Sequence, residues 1–379
     1  MLQLIGYIIL AFFLLSFLIQ QIYHWFIFGR IAFSKNEKSD ASIQPVSVII
    51  CAKNEAHNLM KNLPLIFNQD YPEFQVVVVN DCSFDETEDI LEEFEKKHSN
   101  LHVVTLKEDE IKDHYKKLAL TIGIKGAKYD RLVFTDADCS PRSNQWLKRI
   151  ASNYHEQVQL VIGYGAFQKS KGLLNKLIRF DAFYNACQYL SFALIGKPYM
   201  GVGRNMAYRK KFFFDRKGFS SHYHIQSGED DLFVNANADK LNLAVEVSLD
   251  SITETEPKKT YKQWRIQKMR HLSTSKFYKT SDKFRIGLLA LSQYMFVLFA
   301  ILSALYSIFV FEFIPYQVYV VLSLVLVRYI SLFIIFYFSM KRLNEKDLLF
   351  LTPLLEIVLL FVYPIWHVRN MFVKKHRWK

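Results

Sequence analysis

The fold class of this 379-residue chain is decided by the stretch Val46-Ser47-Val48-Ile49-Ile50-Cys51-Ala52-Lys53-Asn54-Glu55. A short apolar run passes into a polar loop, a pattern that predicts a buried strand with a loop at its carboxyl end. The residues that follow, up to Phe67, carry apolar side chains at helical spacing and predict a helix. A strand followed directly by a helix is typical of an α/β domain.

Two further apolar runs end in acidic loops in the same way. Residues 74–79 run into Asn80-Asp81-Cys82-Ser83, and Arg131–Phe134 runs into Thr135-Asp136-Ala137-Asp138. Leu101–Leu106 is another expected strand, and helical segments at 85–98 and 116–128 alternate with the strands. This alternation predicts a mostly parallel, doubly wound α/β sheet, which binds ligands at the carboxyl ends of its strands.

The composition indicates a soluble domain combined with lipid-embedded segments. Hydrophobic residues make up 51% of the chain and charged residues 22%, and the mean hydropathy is +0.06. An intrinsically disordered chain is excluded, because such chains lack bulky apolar residues. Four cysteines without Cys-X-X-Cys spacing exclude a disulfide-rich secreted fold and predict reduced thiols.

Apolar segments at both ends predict membrane spans. Residues 2–28 contain no charged side chain and are long enough to cross a bilayer, and the basic residues after them place the next domain in the cytoplasm. Two more spans are expected at 286–311 and 316–340, where the intervening turn has no Lys or Arg. The chain has a net charge of +12, and its basic residues cluster beside these apolar segments. This position favours a membrane surface over nucleic acid as the partner of the basic residues.

The last apolar segment, residues 348–366, leaves two topologies open, because two prolines and Glu356 interrupt it. A fourth simple crossing would put the basic tail outside the cell, whereas its Lys and Arg residues favour the cytoplasm. A re-entrant or surface-lying segment would satisfy the charge bias. Arg328 and Glu356 lie within apolar runs and are expected to pair with each other rather than bind substrate.

Asp136 and Asp138 follow an apolar strand at positions i and i+2. A strand end can aim both carboxylates at one hard cation, and Mg²⁺ or Mn²⁺ is commonly held by one or two carboxylates together with substrate phosphates. The alternative is an ordinary turn with two solvated aspartates.

Ser227-Gly228-Glu229-Asp230-Asp231 places three carboxylates in a row before an apolar helical stretch. Their mutual repulsion predicts a raised pKa for one of them, which suits a general base. The alternative is a helix N-terminus, where acidic residues complement the helix dipole. Asp81 has a similar pair of interpretations, because it can accept a hydrogen bond from a nucleobase ring or cap a helix.

Two more segments carry candidate binding residues. Gly201-Val202-Gly203-Arg204-Asn205 can bring the backbone close to a sugar or phosphate, or can be a tight turn. Residues 263–271 are basic and aromatic. They predict a helix on anionic lipid head groups, with Gln267 and Arg270 as candidates to face a diphosphate.

In order and spacing, these motifs resemble the membrane-anchored family 2 glycosyltransferases, inverting GT-A-fold enzymes akin to synthases of cellulose, hyaluronan, chitin and poly-N-acetylglucosamine. The resemblance covers residues 45–271 and the flanking spans. The matching elements are the (A/P)xNE loop at 52–55, the nucleotide-binding element at 80–83, the GKxxAL helix start at 115–120, the DxD motif at 136–138 and the (T/G)ED base motif at 228–230. Residues 267–271 approximate QxxRW, but His271 replaces the tryptophan, which argues against polymer synthesis.

The resemblance implies transfer of a sugar, with inversion, from a nucleotide-diphosphate sugar such as a UDP-sugar to a lipid or glycan hydroxyl. It implies a catalytic set of Asp230, Glu229 and Arg270. It also implies that Asp136 and Asp138 hold a divalent Mg²⁺ or Mn²⁺ ion. The implied nucleotide-sugar-binding residues are Ala52, Asn54, Glu55, Asp81, Lys116, Asp136, Asp138, Arg204 and Gln267.

The expected organisation is a transmembrane anchor (1–30), a cytoplasmic catalytic domain (45–259), an interfacial segment (260–285), membrane segments (286–368) and a basic tail (369–379). The chain is expected at the cell membrane, with room for partner membrane subunits. The rival interpretation is a non-catalytic subunit of a polysaccharide synthesis or export complex that keeps the GT-A fold. A transporter is disfavoured, because three or four spans are few for a transport pathway.

Overall fold

A computed structural model describes residues 2–34, 43–107, 116–309 and 314–372. Its helices are α1 Leu2–Ile22, α2 Gly29–Ala32, α3 Ala56–Phe67, α4 Thr87–Lys97, α5 Lys116–Gly126, α6 Trp146–Ala151, α7 Leu173–Leu194, α8 Lys210–Asp215, α9 Asp231–Asn237, α10 Tyr261–Thr274, α11 Thr280–Phe309, α12 Ile314–Arg342 and α13 Thr352–Phe372. Its strands are β1 Val46–Ala52, β2 Phe74–Asp81, β3 Leu101–Leu106, β4 Arg131–Phe134, β5 Cys139–Pro141, β6 Leu160–Ile162, β7 Gly165–Phe167, β8 Met206–Arg209, β9 Leu243–Val245 and β10 Thr253–Thr255.

The main sheet has the strand order β3-β2-β1-β4-β8-β6-β9. β1 pairs in parallel with β2 and β4, and β2 pairs in parallel with β3. β8 runs antiparallel to both of its neighbours, β4 and β6. The predicted α/β class with a mostly parallel sheet is confirmed, and the carboxyl ends of β1, β2 and β4 lie at one edge.

Successive residues of β1 enter two different cores, because side chains alternate across a sheet. Val48 packs with Leu59 of α3 and Trp146 of α6. Ile49 belongs to a larger core that also contains Phe183 of α7 and Phe336 of α12. The second face of the sheet therefore shares its core with the apolar helices of the carboxyl-terminal part.

The strand boundaries differ from the sequence prediction where polar residues continue a strand. β3 and β4 have the predicted bounds, but β2 continues to Asp81, which pairs in register with Leu106. The helix expected from residue 85 begins at Thr87, and Asp85 lies in the loop before it. Its carboxylate accepts from the backbone N–H groups of Thr87 (3.1 Å) and Ala56 (3.2 Å). Tyr115, at the expected start of the next helix, lies outside the described residues.

Four helical segments in the described part of the chain are long and apolar enough to cross a membrane: Leu4–Ala32, Thr280–Ser307, Val318–Arg342 and Lys346–Asn370. α1 packs along α11, with the rings of Phe13 and Phe296 stacked at 4.9 Å. The segment predicted to be broken by its prolines is one continuous helix, α13, from Thr352 to Phe372. Its first proline occupies the first turn, where a missing N–H costs nothing.

The predicted pairing of Arg328 with Glu356 is confirmed. The guanidinium group of Arg328 in α12 donates to both carboxylate oxygens of Glu356 in α13, and its Nε donates to Gln20 of α1 at 2.6 Å. This satisfies the buried charge with two partners from two other helices.

α7 joins the sheet to the apolar helices and is buried on almost every side. Its Arg179 side chain is 2% exposed and forms a 2.5 Å ion pair with Glu345 and a 2.7 Å ion pair with Asp347, on the segment between α12 and α13. Tyr164, at the turn between β6 and β7, donates to Glu345 at 3.2 Å. These bonds fix the carboxyl-terminal helices against the catalytic fold.

Candidate active site

Charged residues from four separate parts of the chain surround the Cys51 side chain at the end of β1. A cleft is lined by Cys51, Lys116, Leu120, Phe134, Thr135, Asp136, Gly203, Met206, Tyr208, Glu229 and Asp230. Burial raises the pKa of the Cys51 thiol, and the charges of Lys116, Asp136, Asp81 and Glu229 all act on it. The strand ends that the sequence predicts to converge therefore do converge.

Lys116, at the start of α5, bridges two motifs that are far apart in sequence. Its Nζ lies 2.7 Å from Oδ1 of Asp136 and 3.3 Å from Oε1 of Glu229. Burial alone would lower the pKa of Lys116, but these two carboxylates raise it well above its ordinary value. Burial alone would raise the pKa of Asp136, yet Lys116 holds it below its ordinary value. Both groups are therefore charged at neutral pH.

The loop after β4 aims two carboxylates at one region. Asn62 of α3 fixes its turn by donating to the Ala137 carbonyl at 2.9 Å. One ligand atom each from Asp136, Asp138 and Cys139 lies within 4.8 Å of the others. Burial raises the pKa of the Cys139 thiol, which donates to Asp138 at 3.4 Å, so the thiol stays protonated. The remaining donors are carboxylate oxygens, a set that fits Mg²⁺ or Mn²⁺.

Asp230 is held by two backbone amides at the start of α9. The N–H of Gly203 donates to its Oδ2 and the N–H of Asp231 donates to its Oδ1, both at 2.8 Å. Burial raises the pKa of Asp230 to about 7, and the neighbouring carboxylates of Asp231 and Glu229 add to the rise. A carboxyl group with such a pKa can accept a proton near neutral pH.

A glycine precedes this acidic run for a geometric reason. Gly228 has φ +97°, a left-handed conformation that side chains rarely adopt, and a Cβ there would lie 2.5 Å from Leu232. The turn can therefore place Glu229 and Asp230 side by side at the cleft.

Asp231 neither caps α9 nor meets solvent. Its side chain is buried and accepts from the hydroxyl groups of Thr274 and Tyr278, the latter at 2.7 Å. The cap of α9 is instead Asp230. Asp231 therefore anchors the acidic motif to the end of α10.

Gln267 and Arg270 lie on α10. The positive charge of Arg270 contributes to lowering the pKa of Asp136, which indicates that the two groups are near each other. The Oε1 atom of Gln267 is buried and has no hydrogen-bond partner among the described residues. The Oε1 atom of Gln267 therefore retains capacity to accept a hydrogen bond, and Arg270 contributes positive charge near the DxD turn.

Arg204 is oriented by a close contact with β7. Its Nη2 donates to the Gly165 carbonyl at 2.5 Å, and the guanidinium group lies 4.6 Å from the centre of the Phe167 ring. A Cβ at residue 165 would come within 2.2 Å of Arg204. Arg204 also contributes to lowering the pKa of Asp136, so its charge faces the DxD turn.

The loop after β1 is tied to the loop after β2. The N–H of Asn54 donates to Ser83 Oγ at 2.9 Å, and its Oδ1 accepts from the N–H of Phe84 at 3.0 Å. Ala52 and Asp81 are buried, with 1% and 2% of their surfaces exposed, so a ligand could contact only a small part of each residue. Burial raises the pKa of Glu55, as do the charges of Asp138 and Asp136, which puts Glu55 beside the DxD turn.

The sequence analysis missed Lys117, which is fully buried beside Lys116. Its Nζ donates to the carbonyls of His222 (2.6 Å), Ile225 (2.6 Å) and Ser227 (2.9 Å). These three bonds hold the loop that leads into Gly228. A lysine in a basic pair carries no pattern that indicates burial, so the sequence offers no signal for this role.

Comparison with known proteins shows what the chain is similar to. Residues 47–215 match the family model of glycosyl transferase family 2. The match spans β1 to α8 and includes Asp81, Lys116 and the DxD turn; it ends before Asp230.

Two curated proteins are similar to parts of the chain. The glycosyltransferase AglE of Haloferax volcanii is 38% identical over 143 residues, which is 37% of this chain and 45% of that protein. The poly-beta-1,6-N-acetyl-D-glucosamine synthase of Staphylococcus epidermidis is 30% identical over 125 residues, which is 32% of this chain and 29% of that protein. The chain thus matches less than half the length of either relative.

A solved structure has a similar fold over nearly the whole chain. This structure is the mannosyltransferase PcManGT from Pyrobaculum calidifontis in complex with GDP-Man and Mn²⁺. The alignment covers 94% of this chain and 98% of that chain. The TM-score is 0.57 and the sequence identity is 18%, a level at which the similarity shows the fold alone.

Proposed function

We propose, on the premise that residues 47–215 form a family 2 glycosyltransferase domain, that this chain transfers a sugar from a nucleotide-diphosphate sugar to an acceptor hydroxyl, with inversion. The observation that carries the proposal is the bridge made by Lys116. It joins Asp136 of the DxD turn (2.7 Å) to Glu229 of the acidic motif (3.3 Å), so the proposed donor and base residues share one cleft.

The nucleotide part of the donor is proposed to bind at the ends of β1 and β2. The loop residues Ala52, Asn54 and Glu55 would line one side. Asp81 would offer a carboxylate edge to the base. A UDP-sugar is the first donor to test, and GDP-mannose, the ligand of the Pyrobaculum structure, is the second.

The diphosphate is proposed to lie between the DxD turn and α10. Arg270 would neutralise the charge that develops as the nucleotide leaves, and Gln267 would donate to a diphosphate oxygen through its amide nitrogen. Lys116 is available for the same role, because a ligand phosphate can replace one of its two carboxylate partners. A divalent ion held by Asp136 and Asp138 would supply further positive charge to the diphosphate.

Asp230 is proposed to act as the general base. Its carboxylate would take the proton of the acceptor hydroxyl, which would attack the anomeric carbon from the face opposite the nucleotide and invert it. The N–H groups of Gly203 and Asp231 keep the carboxylate in one orientation during this transfer. A pKa of about 7 leaves a large fraction of the group deprotonated at neutral pH.

The acceptor is proposed to be a lipid or a membrane-held glycan at the cytoplasmic face. The support is the position of α10. Its Arg270 lies near the DxD turn, while its Trp264 packs against Trp366 of α13 with ring centres 4.8 Å apart. One helix therefore separates the cleft from an apolar carboxyl-terminal helix. Addition of a single sugar is favoured over polymer synthesis, because His271 replaces the tryptophan of the QxxRW motif.

The proposal is tested with membranes that carry the chain. They are incubated with a panel of UDP- and GDP-sugars, and the released nucleotide is measured with native membrane lipids as acceptors. The wild type is expected to release nucleotide from at least one donor, and Asp138→Asn is expected to lose this activity. The matched control is Asp250→Asn, a surface aspartate whose side chain is 46% exposed, which should behave like the wild type.

A folded wild-type protein that releases no nucleotide from any donor would contradict the proposal and favour the non-catalytic subunit. Equal activity in Asp138→Asn and Asp250→Asn would keep the enzyme but remove the DxD turn from its mechanism.

A further inference from the structure

The two ends of α13 both contact the catalytic side of the molecule. Just before its start, Asp347 pairs with Arg179 of α7 at 2.7 Å and with Lys169 at 2.9 Å. Near its end, Asn370 donates to the Met269 carbonyl of α10 at 3.2 Å. α10 precedes α11 in the chain and belongs to the site.

The middle of α13 contacts α11 through two neighbouring residues of α11. Gln293 and Tyr294 are consecutive residues of α11. Gln293 contacts Glu356 at 3.4 Å, and Tyr294 donates to the Leu360 carbonyl at 2.7 Å. Two consecutive residues of α11 therefore contact residues that lie one turn apart in α13.

A membrane crossing would require a different arrangement. Asn370 lies about 21 Å along the helix axis from Glu356 at 1.5 Å per residue. A helix that crossed beside α11 would carry Asn370 toward the far end of α11. Its hydrogen bond to Met269 places it instead beside the helix that comes before the start of α11.

The outer surface of α13 is an apolar stripe. Its side chains recur at helical spacing and are 42–64% exposed: Leu354, Ile357, Phe361, Ile365 and Val368. The opposite side of the helix, with Leu355, Leu359 and Trp366, is buried against the rest of the protein. A helix with one face packed on protein and one exposed apolar face has a lateral surface suited to lipid.

We infer that α13 lies in the cytoplasmic boundary of the bilayer, with its apolar stripe facing the lipid, and that the chain crosses the membrane three times. α1, α11 and α12 are the crossings. α12 continues past Arg328 into the core that it shares with the sheet, through Leu332, Ile335 and Phe336, so Arg328 and Glu356 lie near the cytoplasmic end of its lipid-facing part. Glu356 of α13 contacts Arg328 of α12 and Gln293 of α11, so α13 packs directly against two of the crossings. This topology leaves Arg369 on the side of the catalytic domain, which agrees with the bias of positive charge toward that side.

This arrangement fixes the distance between the cleft and the bilayer. α13 holds α10 through Asn370 and Trp366, and Tyr363 of α13 shares the Asp181 carboxylate with Lys268 of α10. The helix that carries Gln267 and Arg270 is therefore fastened to a helix seated in the lipid head groups. The inference concerns topology alone, so it stands or falls independently of the proposed reaction.

Accessibility of single cysteines tests the topology in intact cells. Cysteines are introduced at positions 256, 312 and 377 of a chain whose four natural cysteines are replaced by serine or alanine, and a membrane-impermeant maleimide is added before and after permeabilisation. We expect labelling at 312 before permeabilisation, and labelling at 256 and 377 only after it. Labelling of both 312 and 377 in intact cells would show a fourth crossing and overturn the inference.

The depth of the stripe gives a second measurement that does not depend on the tail. Leu354→Cys, Phe361→Cys and Val368→Cys are each labelled with a fluorophore in vesicles, and quenching by lipids brominated at different depths is recorded. A surface-lying helix predicts one shallow depth for all three positions. A crossing helix predicts that position 361 lies deepest, near the bilayer centre, and this result would contradict the inference.

Discussion

Buried charges occur in the cleft and in a second region, the membrane-side network, which contains the ion pairs Arg179–Glu345 and Arg328–Glu356. The two regions satisfy their buried charges differently. On the membrane side, Arg179 is paired with two carboxylates, and Arg328 is paired with Glu356 and Gln20. In the cleft, the donors to Asp230 among the described residues are two backbone amides, and its pKa is raised to about 7. These charges on the membrane side hold helices together, whereas the Asp230 carboxylate in the cleft can still accept a proton.

This difference separates structural charge from functional charge. Breaking a fully paired buried ion pair leaves an uncompensated charge and costs stability. A group that is held but incompletely neutralised has a shifted pKa, which is a feature of catalytic sites. Changes in the cleft should therefore reduce activity in a folded protein, and changes in the network should reduce folding.

Metal removal should have the largest effect on activity. Two carboxylates at the DxD turn would hold a divalent ion, and the diphosphate cannot be neutralised fully without it. EDTA is expected to abolish nucleotide release, and Mn²⁺ or Mg²⁺ is expected to restore it, while the thermal stability in detergent stays nearly unchanged. Full turnover in EDTA would show that the cleft works without a metal.

Removal of Arg179 should have the largest effect on stability. Arg179→Met leaves Glu345 buried and unpaired, which should cost about 3–5 kcal/mol in the free energy of unfolding. The control is Lys169→Met, since Lys169 pairs with Asp347 while its side chain is 48% exposed. That change should cost no more than about 1 kcal/mol. Equal thermal stability of the two variants would remove the distinction between the network and a surface pair.

The pH dependence should be set by Asp230. The base must be deprotonated, so kcat/KM should level off above pH 7 and fall about tenfold for each pH unit below it. At pH 5 the rate should be about a hundredfold below the plateau. A rate that stays constant down to pH 5 would mean that the base has the ordinary pKa of an aspartate, near 3.9.

A change of Asp231 should have the smallest effect. The hydroxyl groups of Thr274 and Tyr278 both donate to Oδ2 of Asp231, and the backbone N–H of Leu232 donates to Oδ1. Asn at this position can keep its oxygen on the hydroxyl side, but its NH₂ group then faces the N–H of Leu232. We expect Asp231→Asn to lower kcat by less than about tenfold and to lower stability by about 1 kcal/mol. A loss of activity as large as that of Asp230→Asn, in a protein of unchanged stability, would move the base to Asp231.

The sequence alone predicts the four parallel strands β1 to β4, and it predicts the bounds of β3 and β4, because these are apolar runs closed by polar residues. It does not predict the three-residue strands β5, β6, β7, β9 and β10. It also identifies the acidic residues at the strand ends. It fails where the partner is distant in sequence. Asp231 is buried by hydroxyl groups more than forty residues away, and Lys117 is buried by three carbonyls of a loop more than a hundred residues away.

The last apolar helix illustrates the same limit. Its composition is compatible with a crossing and with a surface position, and the charge rule alone does not choose between them. The contacts of its two ends with α7 and α10 bear on the choice, and both are long-range contacts. Pattern and composition describe an element, but only tertiary contacts describe where it lies.

The central claim is that Asp230 transfers the proton and does not bind the donor. Asp230→Asn is therefore compared with the wild type and with Asp250→Asn for both nucleotide-sugar affinity and single-turnover transfer. Asp230→Asn is expected to bind the donor as the wild type does and to transfer it roughly 10²–10⁴ times more slowly, because only the base is lost. Near-normal transfer by Asp230→Asn, with transfer abolished in Glu229→Gln instead, would contradict the claim and assign the base to the residue beside it.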